Sequence, residues 1–423
     1  MSKASDLRGA YNNFVGEPLK TEEEFRDFYV QRPESSPSPV EELRDQIEIS
    51  DSKEKYIFLG FRGSGKSTEL NKLMSSLDKE RFLVISYSIR DVLEVSDFDF
   101  RDFFISMALK IYETAENESV ELNADIKEDF DQFVKGITKV SEEEITRSRD
   151  MGLSLSKILM LKLGREAKTR ELVRKELETR ISDLIQRLNW LIRDVEDNTE
   201  KRIVIIVDDL DKLTRGTQAE GFFYKNYALL LQPDCFVIYT FPIPLAFNPY
   251  YENVRHAFGG EVILPQFPVK GITGEIKREN LDFYRSIVDK RMDMDLIDGD
   301  ALNKLILSTG KISEFVLLMK DSTIKAYRKK NNKITMEDVE DSLEKLRRTY
   351  DRTLTEAHKI KLLEIYNSKE ARDVDMSDSI GRELLFSLTA VEYVDENGER
   401  WCDVDPLLLP LVEKWKEQKN IPA

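Results

Sequence analysis

The residues Gly60, Phe61, Arg62, Gly63, Ser64, Gly65, Lys66, Ser67 and Thr68 fit the spacing Gly-x-x-x-x-Gly-Lys-[Ser/Thr], which suits one task, cradling the phosphates of a nucleotide. Glycines let the backbone curl until several N–H groups point inward, and a helix N-terminus adds partial positive charge. Lys66 is placed to reach the β- and γ-phosphates, and Ser67 to ligate Mg²⁺. Gly60, Arg62, Gly63, Ser64, Gly65 and Thr68 complete the candidate nucleotide-binding set. A glycine-rich turn that merely contains Lys-Ser would need neither flank. Here both are right: Tyr56-Ile57-Phe58-Leu59 reads as a short buried strand, and Leu70, Leu73, Met74 and Leu77 recur at helical spacing.

A second group of residues could work on the same chemistry. Ile203, Val204, Ile205, Ile206 and Val207 form a β-branched apolar run, as a strand buried on both faces requires, and the run ends in Asp208-Asp209-Leu210-Asp211. Carboxylates at such a strand end suit a Walker B element: Asp208 would hold Mg²⁺ through water, and Asp209 would orient or polarise the attacking water. Asp211 would add charge behind them. A core strand ending in a solvated acidic turn is the plain alternative, and the phosphate-loop pattern upstream favours the metal-binding reading. Further on, Cys235-Phe236-Val237-Ile238-Tyr239-Thr240 predicts another buried strand with a polar tip. Thr240 would sense the γ-phosphate there, or simply cap the strand.

Positioning these groups takes a sheet. Strands are predicted at residues 56–59, 81–87, 202–207, 235–240 and 261–265, separated by helical stretches, which gives a doubly wound parallel sheet with the ligand at the strand C-termini. Residues 1–54 read as a lead-in and linker, with an extended Pro/Ser-rich connector from Gln31 to Pro39 and a short helix from Val40 to Ile49. Residues 55–270 form the core, interrupted at 116–200 by a helical insertion. Within it, Gly152 to Gly164 alternates like one strand or a hairpin. Val173, Leu177, Ile181, Leu184, Leu188, Leu191 and Val195 then stripe one long helix, which more simply covers its own core than binds a partner.

Residues 271–348 are helical throughout and read as a lid, with Thr335 and Asp338 spaced as a capping box. Residues 349–423 predict two helices, a hairpin turning at Asn397-Gly398, and a closing helix, the order of a winged helix.

Composition excludes several classes. Only His256 and His358 are present, which rules out a multi-histidine metal site, and only Cys235 and Cys402, which points to a reducing compartment. No apolar run approaches the ~20 residues that span a bilayer, and the N-terminus lacks a signal-peptide core, so a cytoplasmic location is expected. The net charge of −16 disfavours broad nucleic-acid binding.

These motifs resemble the AAA+ and STAND ATPases, and more narrowly the origin-recognition-like bacterial ATP-binding proteins with a C-terminal winged helix. Asp208-Asp209-Leu210-Asp211 also resembles the ending in KAP ATPases, whose membrane-spanning insertions have no counterpart here. The resemblance implies an ASCE/AAA+-type fold, ATP and Mg²⁺ as ligands, and Lys66, Asp209 and Thr240 as the catalytic set. Two departures stand out. No arginine follows the lid glycine in Thr309-Gly310-Lys311, and Asp209 stands where many AAA+ enzymes have Glu. Both point to slow or partner-stimulated turnover, hence to a nucleotide-gated switch. Arg255, Arg278 and Arg291 are candidate trans-acting fingers in a homo-oligomer.

Protein partners through the winged helix or the insertion are expected, and the resemblance places such ATPases in bacterial stress or antiviral defence. The alternatives are a DNA-binding initiator or regulator and a non-catalytic scaffold. The sixteen acidic against ten basic residues in 351–423 favour protein over DNA.

Overall fold

Continuous β-branched runs go where both faces of a strand are covered, and the computed structural model follows that rule. It describes residues 2–141, 143, 145, 154–213, 216–370, 378–394 and 399–419. Five strands, β1 (Lys55–Leu59), β2 (Phe82–Ser88), β3 (Arg202–Asp208), β4 (Phe236–Phe241) and β5 (Gly260–Ile263), form a sheet ordered β2-β3-β4-β1-β5. The pairings of β2 with β3, β3 with β4, and β4 with β1 are parallel. This is the α/β P-loop NTPase architecture expected. Residues 203–207 of β3 are fully buried. In the register, Val207 lies beside Tyr239 and Phe58 beside Thr240, so β1, β3 and β4 end in neighbouring rows.

The chain divides into two compact units. One holds Glu42–Leu59 and Ser76–Val262, and the other Met1–Glu41, Gly60–Ser75 and Ile263–Ala423.

In the sheet-bearing unit the helix Phe100–Asn117 leads into the insertion, which among the described residues is helical: Ala124–Thr138, Leu155–Arg165, Ala167–Leu177 and Ile181–Thr199. Two expectations are corrected. The segment read as strand or hairpin is the helix Leu155–Arg165, and Gly152 lies outside the described residues. Ser154 caps the helix, and Leu155, Ile158, Leu159 and Leu163 are buried at helical spacing. The apparent alternation came from a cap followed by a stripe that fits both periods. The single long helix is two, broken at residues 178–180. Leu177, Ile181 and Leu184 keep helical spacing through the break, so the pattern hides it. The stripe itself covers its own core, with Val173, Leu177, Leu184, Leu188, Leu191 and Val195 at 0 % exposure.

The other unit contains the predicted lid helices, Arg278–Arg291, Gly299–Leu307, Ile312–Arg328 and Met336–Asp351. The Asp338 carboxylate accepts from the Thr335 N–H at 3.0 Å and hydroxyl at 2.8 Å, as the spacing predicts. The lead-in is more than a linker. It contains the helices Leu7–Asn13 and Glu22–Phe28, and Leu7, Ala10 and Phe14 share one core with Tyr284, Phe315 and Val339. After two further helices, Glu356–Ser368 and Ser379–Ser387, β6 (Ala390–Val394) and β7 (Arg400–Val404) pair antiparallel, and a last helix spans Leu409–Lys419. The predicted turn at Asn397-Gly398 lies outside the described residues. No helix among the described residues is long and apolar enough to cross a membrane.

Candidate functional site

β1 runs directly into Gly60, and the helix Lys66–Ser76 starts at the motif lysine. Gly63 and Gly65 have φ of 86° and 97°, where a side chain would be strained. Gly60 is needed for space: a Cβ there would come within 3.1 Å of the Lys66 side chain and 3.2 Å of Leu264. Lys66 is 6 % exposed, and its amine donates to the carbonyls of Gly60 at 2.7 Å and Phe61 at 2.9 Å. The buried Ser64 hydroxyl has no hydrogen-bond partner among the described residues, and an arriving phosphate oxygen would supply one. Arg62 is exposed, Ser67 and Thr68 are half-buried, and Thr68 accepts from the Leu19 N–H at 3.3 Å.

A residue without a motif signal supports this loop. Arg32, in the connector, is 5 % exposed and donates to the carbonyls of Ser64 (3.2 Å), Ser36 (3.3 Å) and Pro265, with its guanidinium 4.7 Å above the Phe267 ring. Glu69, buried in the first turns of the loop's helix, accepts from Tyr29 Oη at 3.1 Å and Ser38 Oγ at 2.6 Å. The connector is thus fastened on both sides of the phosphate loop. Tyr29 and Arg32 are both engaged with protein groups.

In the sheet-bearing unit, Asp208, Asp209 and Asp211 offer carboxylate oxygens that all lie within 4.8 Å of one another. Hard oxygen donors in that arrangement fit Mg²⁺. Asp209 has φ of 67°, a left-handed conformation of the sort often kept at working sites, and its N–H donates to Asp208 Oδ1 at 2.7 Å. Its carboxylate accepts from Ser88 Oγ at 2.7 Å and is ion-paired with Lys212. Burial alone would raise this carboxyl, but the bonds from Lys212 and Ser88 and the charges of Lys212 and Arg90 hold it below the ordinary carboxylate range. Neither Ser88 nor Lys212 was visible as a partner from the sequence.

Thr240 is fully buried. Its hydroxyl accepts from the Leu210 N–H at 2.9 Å and donates to the Val207 carbonyl at 3.2 Å, tying the end of β4 to the acidic turn after β3. Among the finger candidates, Arg291 is corrected. It is 7 % exposed and donates to the carbonyls of Phe28 and Ile287, both at 3.1 Å, so it braces the interior. Arg255 and Arg278 lie on the surface.

Residues 57–238 match the model of the KAP family P-loop domain. The match begins in β1 and ends in β4, and it takes in both the phosphate loop and the acidic strand end. The sheet and the match together show the α/β fold of a P-loop NTPase. No curated protein matches the chain. Solved structures similar to it include the Aeropyrum pernix ORC1 protein in complex with DNA, at 12 % identity, covering 97 % of this chain and 98 % of that one with a TM-score of 0.42. Cdc6p from Pyrobaculum aerophilum is 13 % identical, covering 94 % and 98 %, with a TM-score of 0.37. The Thermotoga maritima RuvB Holliday junction branch migration motor is 12 % identical, covering 97 % and 100 %, with a TM-score of 0.39.

Proposed function

We propose that the chain is an Mg²⁺-dependent ATPase that works as a nucleotide-gated switch. The observation that carries this reading is the single family match that spans residues 57–238 and so includes both the Lys66 loop and the Asp208-Asp209 strand end. In it, the loop N–H groups and Lys66 bind the phosphates, and Ser67 and Asp208 hold Mg²⁺, which neutralises phosphate charge when bound. Asp209 orients or polarises the attacking water, and Thr240 keeps the turn bearing Asp209 in register with β4. The ion pair with Lys212 weakens Asp209 as a base, which suits slow turnover until a partner draws Lys212 away. Protein partners, and a homo-oligomer supplying Arg255 or Arg278 in trans, belong to the same proposal, as does a place in stress or antiviral defence.

Calorimetry and phosphate release test the reading together. Asp209→Asn is expected to bind Mg-ATP as the parent does while turnover falls by about 100-fold. Lys66→Ala is expected to lose binding. Full binding by the Lys66 variant, or full turnover by the Asp209 variant, would contradict the proposal.

A further inference from the structure

The helix Ile312–Arg328 is entered through a turn, residues 310–314, that is held on two sides. On one, the Ser313 N–H donates to the Gly63 carbonyl of the phosphate loop at 3.1 Å. The approach is so close that a Cβ on Gly63 would lie 2.3 Å from Ser313 Oγ. On the other, Lys311 pairs with Asp405 at 2.8 Å and with Glu314 at 3.5 Å, and its amine reaches Tyr350 Oη at 3.3 Å and the Leu388 carbonyl at 3.5 Å. Gly310 is equally confined, since an added Cβ would lie 2.9 Å from Pro406 Cδ and 3.3 Å from Tyr393 Oη. One turn of backbone therefore meets both the phosphate loop and the segment that follows β7.

A lysine at this place invites a direct role at the γ-phosphate. The geometry argues otherwise. Lys311 is 3 % exposed, and withdrawing its charge would leave two buried carboxylates facing each other, an arrangement strongly disfavoured in a low dielectric. Its amine is committed to holding the turn in place.

We infer that Lys311 is a positioning residue for the phosphate loop, and that its pair with Asp405 lets the segment after β7 set how tightly the loop grips a nucleotide. The inference rests on the reading that the loop binds one. The pair fixes the turn, the turn's N–H fixes the Gly63 carbonyl, and the orientation of that peptide governs the N–H groups that face phosphate. Because coupling between two sites is reciprocal, nucleotide in the loop steadies the β6–β7 region by the same factor.

Asp405→Asn in the full chain is the informative variant. The side-chain oxygen that accepts from the Leu407 N–H at 2.9 Å is retained, and Glu314 remains as a counter-charge for Lys311, so the fold is kept. Titration with a non-hydrolysable ATP analogue and Mg²⁺ is expected to show Kd raised about fivefold to tenfold, at the lower end of typical coupling. The Lys311→Met, Asp405→Asn double variant is expected to bind no more weakly than Lys311→Met alone. Saturating analogue is expected to slow amide hydrogen exchange in the strands Ala390–Val394 and Arg400–Val404 in the parent and not in Asp405→Asn, a response that general loosening of the fold would not give. An unchanged Kd in Asp405→Asn, or exchange in the parent that ignores the analogue, overturns the inference. Lys66→Ala separates the two failures. If it loses binding while Asp405→Asn does not change, the coupling alone is wrong; if it binds normally, the phosphate-loop reading falls as well.

Discussion

Two buried lysines in one unit of this chain sit beside different groups. Lys66, in the phosphate loop, donates to the backbone carbonyls of Gly60 and Phe61, while Lys311, just before the helix Ile312–Arg328, is ion-paired with Asp405 and Glu314. A carbonyl holds an ammonium group through a dipole, and a phosphate oxygen replaces it at little cost. A buried carboxylate holds it through a full charge, and exchange is expensive. Burial makes the two residues look alike; in the proposed function the first meets a phosphate and the second holds a turn.

The largest effect that would sharpen this contrast belongs to Lys66→Ala. A cation about 4 Å from a phosphate oxygen is worth on the order of 4 kcal/mol at an effective dielectric near 20, so nucleotide affinity should fall about a thousandfold with the fold intact. A loss of thermal stability with unchanged affinity would reverse the roles assigned to the two lysines. Gly63→Ala comes next. It forces a side chain into φ of 86° and into the space of Ser313, so affinity measured by calorimetry should fall about tenfold, along with the melting temperature.

The smallest effect concerns pH. Burial, and then the neighbouring Asp405 carboxylate, push the Glu314 carboxyl up to about 7, against the charge of Lys311 and the bonds from Tyr350 and Lys311. A carboxyl with a raised folded-state pKa binds its proton more tightly in the native chain than in the unfolded one. Its contribution to stability is therefore greatest at low pH and is lost as pH rises through about 7. Denaturant titrations at pH 6 and pH 8 should show the parent losing up to about 1 kcal/mol more than Glu314→Gln over that interval. Equal losses would mean that Glu314 does not titrate there.

What the sequence revealed is local. The phosphate loop, the acidic strand end and the capping box at Thr335 and Asp338 are each set by residues within a few positions of one another, and each stands where the spacing predicted. The break at residues 178–180 escaped notice because the apolar stripe runs through it, and Leu155–Arg165 because a serine cap imitated strand alternation. Pairings such as Lys311 with Asp405, Arg32 with Ser64, and Phe14 with Tyr284 and Phe315 in one core depend on how distant segments fold back, for which periodicity carries no signal. Even Asp209, singled out as a carboxylate at a strand end, gave no hint of its tie to Lys212.

The bonds of Arg32 also bear on how this protein can be divided. Its guanidinium joins the connector, the phosphate loop and the stretch after β5 through their backbone oxygens. A shortened fragment cut to begin at the first strand would discard that brace and uncover the flank of the loop it supports. A fragment that keeps this brace must therefore start upstream of Arg32, well before the first residue that any phosphate-loop motif would mark.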